Sequence, residues 1–364
     1  MRLKFGKIQL IAMTMLGFAA TLEGSVATSC AQENANANQP AATQGEGTPG
    51  EGIAGNQLQP GLALNHLLNA FDLYHYDQEI QGAATLSGSM TMLNLGAKWA
   101  ERYSSFHPGV AFTRGPDGTE KSLQALEKDA SLIVGSSRPI SPEEIARLKA
   151  GACKDPLSVI VALDPLAIYV HESNPIQAIS PEQLEGILRA AGQPGNHYGT
   201  WGELGVQGDI AKKPIQFHSR SEQSGTKAFL KQFILRGAQV TKEVQSYRSN
   251  AEICNAIAAD PAGFGICGFG DVQPGVRAVP LSLRGQIVPA SEDSFLAGRY
   301  PLVRPLVLVF DRDQMKTDGG VRESMLRYIL SRDGQTEAVK AGFYPLDPSF
   351  VHKQLDDICG PRMR

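Results

Sequence analysis

Three short segments gather hydroxyls, glycine and a guanidinium in a pattern suited to holding a small oxyanion. They are Leu86-Ser87-Gly88-Ser89-Met90-Thr91, Val134-Gly135-Ser136-Ser137-Arg138-Pro139, and Phe217-His218-Ser219-Arg220-Ser221-Glu222-Gln223-Ser224-Gly225-Thr226. In each, an apolar run that reads as a strand gives way to a turn and then to a helical pattern. A helix start leaves N–H groups without intrahelical partners and carries a partial positive charge. Short hydroxyls add donors, glycine lets the backbone approach a ligand, and arginine offers a planar fork that fits an oxyanion edge. Arg220, followed four residues later by Ser224-Gly225-Thr226, supplies charge, hydroxyls and backbone amides together.

Serine and threonine are also the preferred helix N-caps, so each loop taken alone is equally explained as a helix start. Ser180-Pro181-Glu182-Gln183 has the same capping-box look with no reason to bind anything. The three loops together say more, because a doubly wound fold collects such loops at the carboxyl ends of its strands.

Other suggestive spacings lack the context their chemistry needs. Gly263-Phe264-Gly265-Ile266-Cys267-Gly268 matches a dinucleotide fingerprint but begins a strand-like run and opens no helix. Ser224-x-x-Lys227 matches the first element of the penicillin-interactive acyl transferases, whose S-x-N and K-T-G elements do not occur in this chain. Lys227 therefore reads as a solvated residue of a first helical turn. The seven histidines are scattered without metal-ligand spacing. Of these, His218 lies near the third loop and reads as a satisfied loop histidine, with lining a cleft as the alternative.

The elements that must position the loops are those of an α/β chain. Strand-like runs occur at Ala83–Leu86, Leu132–Val134, Val159–Leu163, Ala167–Val170, Ile215–Phe217, Phe264–Cys267 and Leu306–Phe310. Helical patterns fall near 92–106, 119–129, 141–150, 180–190, 225–236, 250–259 and 319–332, with no internal repeat. Two extended runs stand apart: Val159 to Val170 through Asp164-Pro165, and Tyr300 to Phe310 through Arg304-Pro305. Their prolines favour extended backbone. Such a pair of crossings could bracket a second lobe inserted into the first. The composition agrees: 364 residues, 42% hydrophobic and 20% charged, describe a globular chain of about two domains and exclude collagen-like or wholly disordered readings. The formal net charge of −3 argues against a dedicated nucleic-acid binder.

The N-terminus reads as an address and a tether. Arg2, Lys4 and Lys7 precede an apolar run over 8–22, too short for a comfortable membrane span and suited to a signal-peptide core. Val26-Ala27-Thr28-Ser29-Cys30 resembles a bacterial lipoprotein cleavage box, with Cys30 the lipidated residue; ordinary cleavage after Ser29 or Ala31 is the alternative. Residues 31–60 are rich in Asn, Gln, Gly, Ala and Pro and read as a flexible linker.

Taken together, the chain resembles the periplasmic phosphate-binding proteins of ABC importers, of the PstS type. The stretches that carry the resemblance run in the family's order over about residues 83–345. They are Gly88-Ser-x-Thr91, Lys98-Trp-Ala100, His107-Pro-Gly109, Gly135-Ser-Ser-Arg-Pro-Ile-Ser141 and Ala162-Leu-Asp-Pro-Leu-Ala-Ile168 through Asn174-Pro175. Ile179-Ser-Pro-Glu-Gln-Leu184, Thr200-Trp-Gly-Glu-Leu204, Arg220-x-x-x-Ser-Gly-Thr226 and Tyr300-Pro-x-x-Arg-Pro305 complete the series.

The resemblance implies a two-lobed α/β periplasmic-binding-protein fold of type II, with a doubly wound sheet in each lobe and a ligand cleft between. It implies a signal peptide over 1–29, a tether over 30–62, lobe one over 63–165 and 300–364, and lobe two over 166–299. It assigns ligand contacts to Arg220, Ser224, Gly225 and Thr226, to Ser89 or Thr91, and to Gly118 or Thr119. Ser136, Ser137 and Arg138 complete the set. Ser137 stands where well-known members carry an aspartate that accepts the ligand's proton, so proton-based selectivity is in question; Asp117 is a weak substitute. The expected ligand is inorganic phosphate and the expected partner an ABC permease in the inner membrane. Nucleic acid, cofactor, metal and enzymatic activity are not expected, and the protein is expected to be a monomer touching the membrane only through its anchor. Sulfate or molybdate binding, or phosphate sensing, is the alternative, and a serine acyl transferase or hydrolase a distant third.

With Cys30 given to the anchor, four cysteines remain for an oxidising compartment, which allows two disulfides in three pairings. Under the implied lobe assignment, Cys254 with Cys267 and Cys153 with Cys359 is the expected pairing.

Overall fold

The computed structural model describes residues 62–360 apart from positions 77, 222, 223, 243, 244 and 272. The signal peptide, Cys30 and nearly all of the tether lie outside the described residues.

A short helix, α1 (Leu62–Asn69), leads into β1 (Gly82–Gly88), α2 (Met90–Ser104), β2 (Val110–Asp117), α3 (Thr119–Leu126), β3 (Leu132–Ser136) and α4 (Pro142–Ala150). The long strand β4 (Pro156–His171) carries the chain into α5 (Pro181–Leu188), β5 (Gln216–Arg220), α6 (Gly225–Phe229), β6 (Gln245–Tyr247), α7 (Asn250–Ala258) and β7 (Gly263–Gly268). Three short strands, β8 (Val276–Val279), β9 (Leu281–Leu283) and β10 (Gln286–Val288), precede α8 (Glu292–Leu296). The strand β11 (Val303–Asp311) then returns, and α9 (Val321–Ile329), α10 (Arg332–Lys340) and α11 (Pro348–Cys359) complete the fold.

The strands run in the order β2-β1-β3-β11-β4-β7-β5-β6, with β8 also paired to β4. β1 is parallel to β2 and β3, and β5 is parallel to β6 and β7. The two parallel groups are joined by antiparallel pairing of β11 with β3 and β4, and of β4 with β7. The turns after β1, β2 and β3 therefore open at the carboxyl ends of one parallel set, and the third loop, with its Ser-Gly-Thr, at the carboxyl end of the other.

Side-chain alternation along the two crossing strands divides the core. On β11, Leu306, Leu308 and Phe310 enter one apolar cluster, while Val307 and Val309 enter the cluster on the opposite face. On β4, Val159, Val161 and Ala162 belong to the first half of the molecule, and Leu166, Ile168 and Val170 to a separate cluster with Trp201, Phe217 and Phe264. Ala167 and Tyr169 face a fourth, with Cys254 and Cys267. Leu64 and Leu68 of α1 join the cluster of the second half, although Arg332 of α10 donates to the Asn69 carbonyl at 2.8 Å.

The two apolar runs broken by Asp164-Pro165 form a single strand of 16 residues. β2 escapes sequence reading because Gly115 and Pro116 interrupt it. It is an edge strand, where proline is tolerated because one side needs no ladder donor. The helical pattern near 225–236 divides into α6 and a π-helical turn over Leu230–Ile234.

Neither expected disulfide is formed among the described residues. Cys153 packs with Val307 and Val309, whereas Cys359 packs against the cluster of Leu306, Leu308 and Phe310. The two therefore lie on opposite faces of one sheet, and no bridge can join them without breaking it. Cys254 and Cys267 share a cluster, but the Cys267 thiol meets the Asn250 carbonyl at 3.9 Å. Burial pushes the Cys153 thiol up to about 12 and the Cys359 thiol up to about 11, so both stay protonated and unreactive.

Candidate functional site

The turns after β1, β2 and β3 are laced together by their backbones. The Ser89 N–H donates to the Gly135 carbonyl at 2.9 Å, and the Gly118 N–H donates to the Gly88 carbonyl at 2.7 Å. The turn after β1 is thereby tied to the turns after β2 and β3. Gly88 has φ near +134°, and a Cβ there would fall 2.0 Å from the Gly135 carbonyl oxygen, so only glycine permits this approach.

Each loop then starts a helix. Ser89 caps α2, its hydroxyl accepting from the Met92 N–H at 3.2 Å. Thr91 lies beyond the cap in the first turn and is part-exposed, so Ser89 is the buried hydroxyl at this loop. Gly118, with φ near +94°, precedes α3 and offers no capping side chain. The buried Thr119 hydroxyl behind it has no hydrogen-bond partner. Asp117 is occupied by Arg114, which donates to it at 2.8 Å on the exposed surface.

The second loop separates the roles that sequence reading gave Ser136, Ser137 and Arg138. The Ser136 hydroxyl donates to the Arg138 carbonyl at 2.7 Å and shapes the turn. Arg138 turns away to Glu144 of α4, donating through Nη1 and Nη2 at 2.8 and 2.6 Å. Its charge is neutralised there. Burial tends to raise the Glu144 carboxyl, but hydrogen bonds from Arg138 and the Ser141 backbone outweigh it and hold it below the usual carboxylate range. Ser137, by contrast, is wholly buried and its hydroxyl has no partner.

The third loop meets the second. The Ser224 hydroxyl caps α6, accepting from the Thr226 N–H at 3.1 Å. Gly225 follows, and a Cβ there would lie 1.8 Å from the Ser137 Oγ. The second and third loops, which belong to different halves of the sheet, are thus in contact at Ser137 and Gly225. Thr226 is buried. Arg220 ends β5 and donates to the Asn250 side chain at 2.9 Å, which fixes the guanidinium at the start of α7. Lys227 is 2% exposed, so the solvated role expected for it is wrong. α6 packs its first turn against the molecule rather than presenting it to water. His218 is buried, its Nδ1 3.1 Å from the Tyr247 hydroxyl, and burial lowers its pKa despite Asp260.

One charged pair at this place escaped sequence reading. Arg304 and Asp164 are register partners across β11 and β4. Arg304 donates to Asp164 Oδ2 through Nε at 2.9 Å and Nη2 at 2.7 Å. The signal was available: each is the only charge in an otherwise apolar extended run.

Among the described residues no group of three His, Cys, Asp or Glu side chains could hold a metal, and no helix is long and apolar enough to cross a membrane.

Two α/β halves joined by extended crossing strands, with hydroxyl-bearing loops from both halves in contact, define a two-lobed fold of the periplasmic-binding type. The chain belongs to the PBP superfamily, whose domain matches residues 36–331. It is 29% identical over 289 residues to the phosphate-binding protein PstS of Pseudomonas aeruginosa, covering 78% of this chain and 90% of that protein. It is 24% identical over 268 residues to protein SphX of Synechococcus elongatus, covering 72% and 77%. Among solved structures it resembles an ABC-type phosphate transport receptor from Vibrio cholerae, with a TM-score of 0.59 and 22% identity over 72% of this chain and all of that one. That likeness carries the fold.

Proposed function

We propose that this protein captures inorganic phosphate between its two lobes and presents it to an ABC permease. The observation that carries the reading is the pair of buried hydroxyls, Ser137 and Thr119, that have nothing to bond to. A buried donor left unsatisfied costs roughly 1–3 kcal/mol. Set among helix starts, with Arg220 at the third loop, such donors are accounted for by a small oxyanion. Phosphate is favoured among oxyanions because the relative at 29% identity is named for binding it.

The lobes are taken as 63–165 with 300–364, and 166–299. The division of the core along β4 supports this from β1 onward, whereas Leu64 and Leu68 of α1 pack in the cluster of the second half; the contact of Ser137 with Gly225 puts one proposed contact from each lobe at the same point. Ligand contacts are assigned to Ser89, Gly118, Thr119, Ser137, Arg220, Ser224, Gly225 and Thr226. Arg138 and Ser136 shape the second loop, and Thr91 supports the first. The Ser224 hydroxyl serves as a helix cap, and the proposed role is capture. Export, anchoring at Cys30 and delivery to a membrane permease complete the reading.

Calorimetric titration with phosphate, sulfate and molybdate tests it. Phosphate is expected to bind at micromolar or tighter affinity and the others more weakly. Absence of phosphate binding overturns the reading. Sulfate binding of equal strength would favour a general oxyanion receptor, a result that the hydroxyl of Ser137 in place of a carboxylate makes physically reasonable.

A further inference from the structure

We infer that Arg304 is a second guanidinium of the anion site, aimed by Asp164 from the floor formed by the crossing strands; this rests on the oxyanion reading of the cleft. Arg304 is 1% exposed, and two of its three nitrogens are committed to one carboxylate oxygen, Asp164 Oδ2. The third, Nη1, is buried and donates to nothing. A lone buried ion pair would be expected to satisfy its remaining protons as well, because unpaired donors at a desolvated charge are expensive. Nη1 instead points to where the two loops meet: a Cβ on Gly225 would lie 3.5 Å from it and 1.8 Å from the unpartnered Ser137 Oγ. Two buried donors without partners, both from the first half of the molecule, therefore converge on one glycine of the other half.

The cross-strand register explains the aim. Arg304 stands directly opposite Asp164 in the antiparallel ladder, so a short, two-pronged contact holds the guanidinium plane and leaves only Nη1 to turn toward the loops. Asp164 is a positioning residue in this scheme and Arg304 a ligand contact. Arg138, the cation that sequence alone placed in the site, is neutralised by Glu144. Arg304 takes the role of second cation that Arg138 does not fill.

The test uses calorimetric titration of the full chain with inorganic phosphate, together with a crystal structure of the phosphate-bound protein. Arg304→Lys keeps the charge but cannot hold Asp164 and reach the anion at once, so affinity is expected to fall about tenfold or more. The double variant Arg304→Met, Asp164→Leu removes both charges and leaves none stranded in the core; such replacements often preserve folding. It is expected to melt within a few degrees of the parent and to bind phosphate about 100-fold more weakly. In the crystal, Nη1 is expected about 3 Å from an anion oxygen. A folded double variant that binds within about threefold of the parent overturns the proposal. So does an anion that Nη1 does not touch, and the crystal decides even if the double variant fails to fold. If the parent binds sulfate instead of phosphate and Nη1 touches it, the phosphate reading falls and this one stands. If the parent binds neither anion, both fall.

Discussion

Gly225 sits where a single methyl group decides whether the two loops can meet. Its missing Cβ would collide with Ser137 Oγ at 1.8 Å. Gly225→Ala is therefore expected to leave each half folded but to weaken phosphate binding by about 10- to 100-fold, the equivalent of the roughly 1–3 kcal/mol that overpacking costs. Titration calorimetry reads the loss, and an unshifted melting temperature distinguishes it from misfolding. Arg220→Ala is expected to weaken binding about 100-fold, since a hydrogen bond to a charged group contributes roughly 1.5–3 kcal/mol. Unchanged affinity would remove the third loop from the site. At this scale the sequence was informative where chemistry follows from residue type and spacing, as in Arg220 and Ser224-Gly225-Thr226. It misled at Arg138, because the partner that claims that guanidinium, Glu144, lies six residues on, in a helix whose cap is also read as structural. It marked Arg304 only as a lone charge in an apolar run, and the meaning of that charge depends on a strand register between positions about 140 residues apart.

Among the elements, α4 shows how one helix start serves the site without touching a ligand. Ser141 and Glu144 form a reciprocal capping box, with Pro142 at the first turn. The same Glu144 carboxylate holds the Arg138 guanidinium and so fixes the second loop at its far end. Glu144→Gln strands a buried guanidinium and is expected to destabilise the protein by about 3 kcal/mol in urea melts at neutral pH. The Glu144 pKa is lowered on folding, so its contribution is present above the unfolded carboxylate pKa and lost as pH falls through the folded one. The difference between parent and variant should accordingly shrink in acid; a gap that stays constant down to the acid transition would contradict the assignment. Most helices and the inner strands were legible from periodicity. α10 and α11 were not read from the sequence, although Asp347-Pro348 is a ready cap for the latter. β8 to β10 were too short to show a period, and the edge strand β2 was masked by its glycine and proline.

For the whole molecule, the crossing strands β4 and β11 join the two parallel groups of the sheet. With the proposed ligand contacts in both lobes, closure would be driven by what the anion gains in the closed arrangement, since a ligand shifts an equilibrium only through differential affinity. Small-angle scattering is expected to show the radius of gyration contracting on phosphate addition in the parent, and not in Gly225→Ala. Equal profiles with and without phosphate would argue for a rigid cleft. The two-lobed plan was visible in the proline-punctuated runs. The disulfides were not predictable, because which face of a sheet a cysteine occupies depends on pairing that spacing does not reveal.

β11 also has a consequence for how the molecule comes into being. It is inserted between β3 and β4, so the central ladder of the first half waits for residues 303–311 of a 364-residue chain. Until that segment is made, β3 and β4 each lack a neighbour, and the contacts that close the sheet span long sequence separations that form slowly. A chain built this way cannot complete its fold while most of it is still emerging. On the proposed reading of an exported protein, late closure would keep the polypeptide thread-like until nearly all of it had crossed the membrane. The same delay exposes two unpaired strand edges, so a chain ending at residue 299 is expected to accumulate as aggregate rather than as a soluble half.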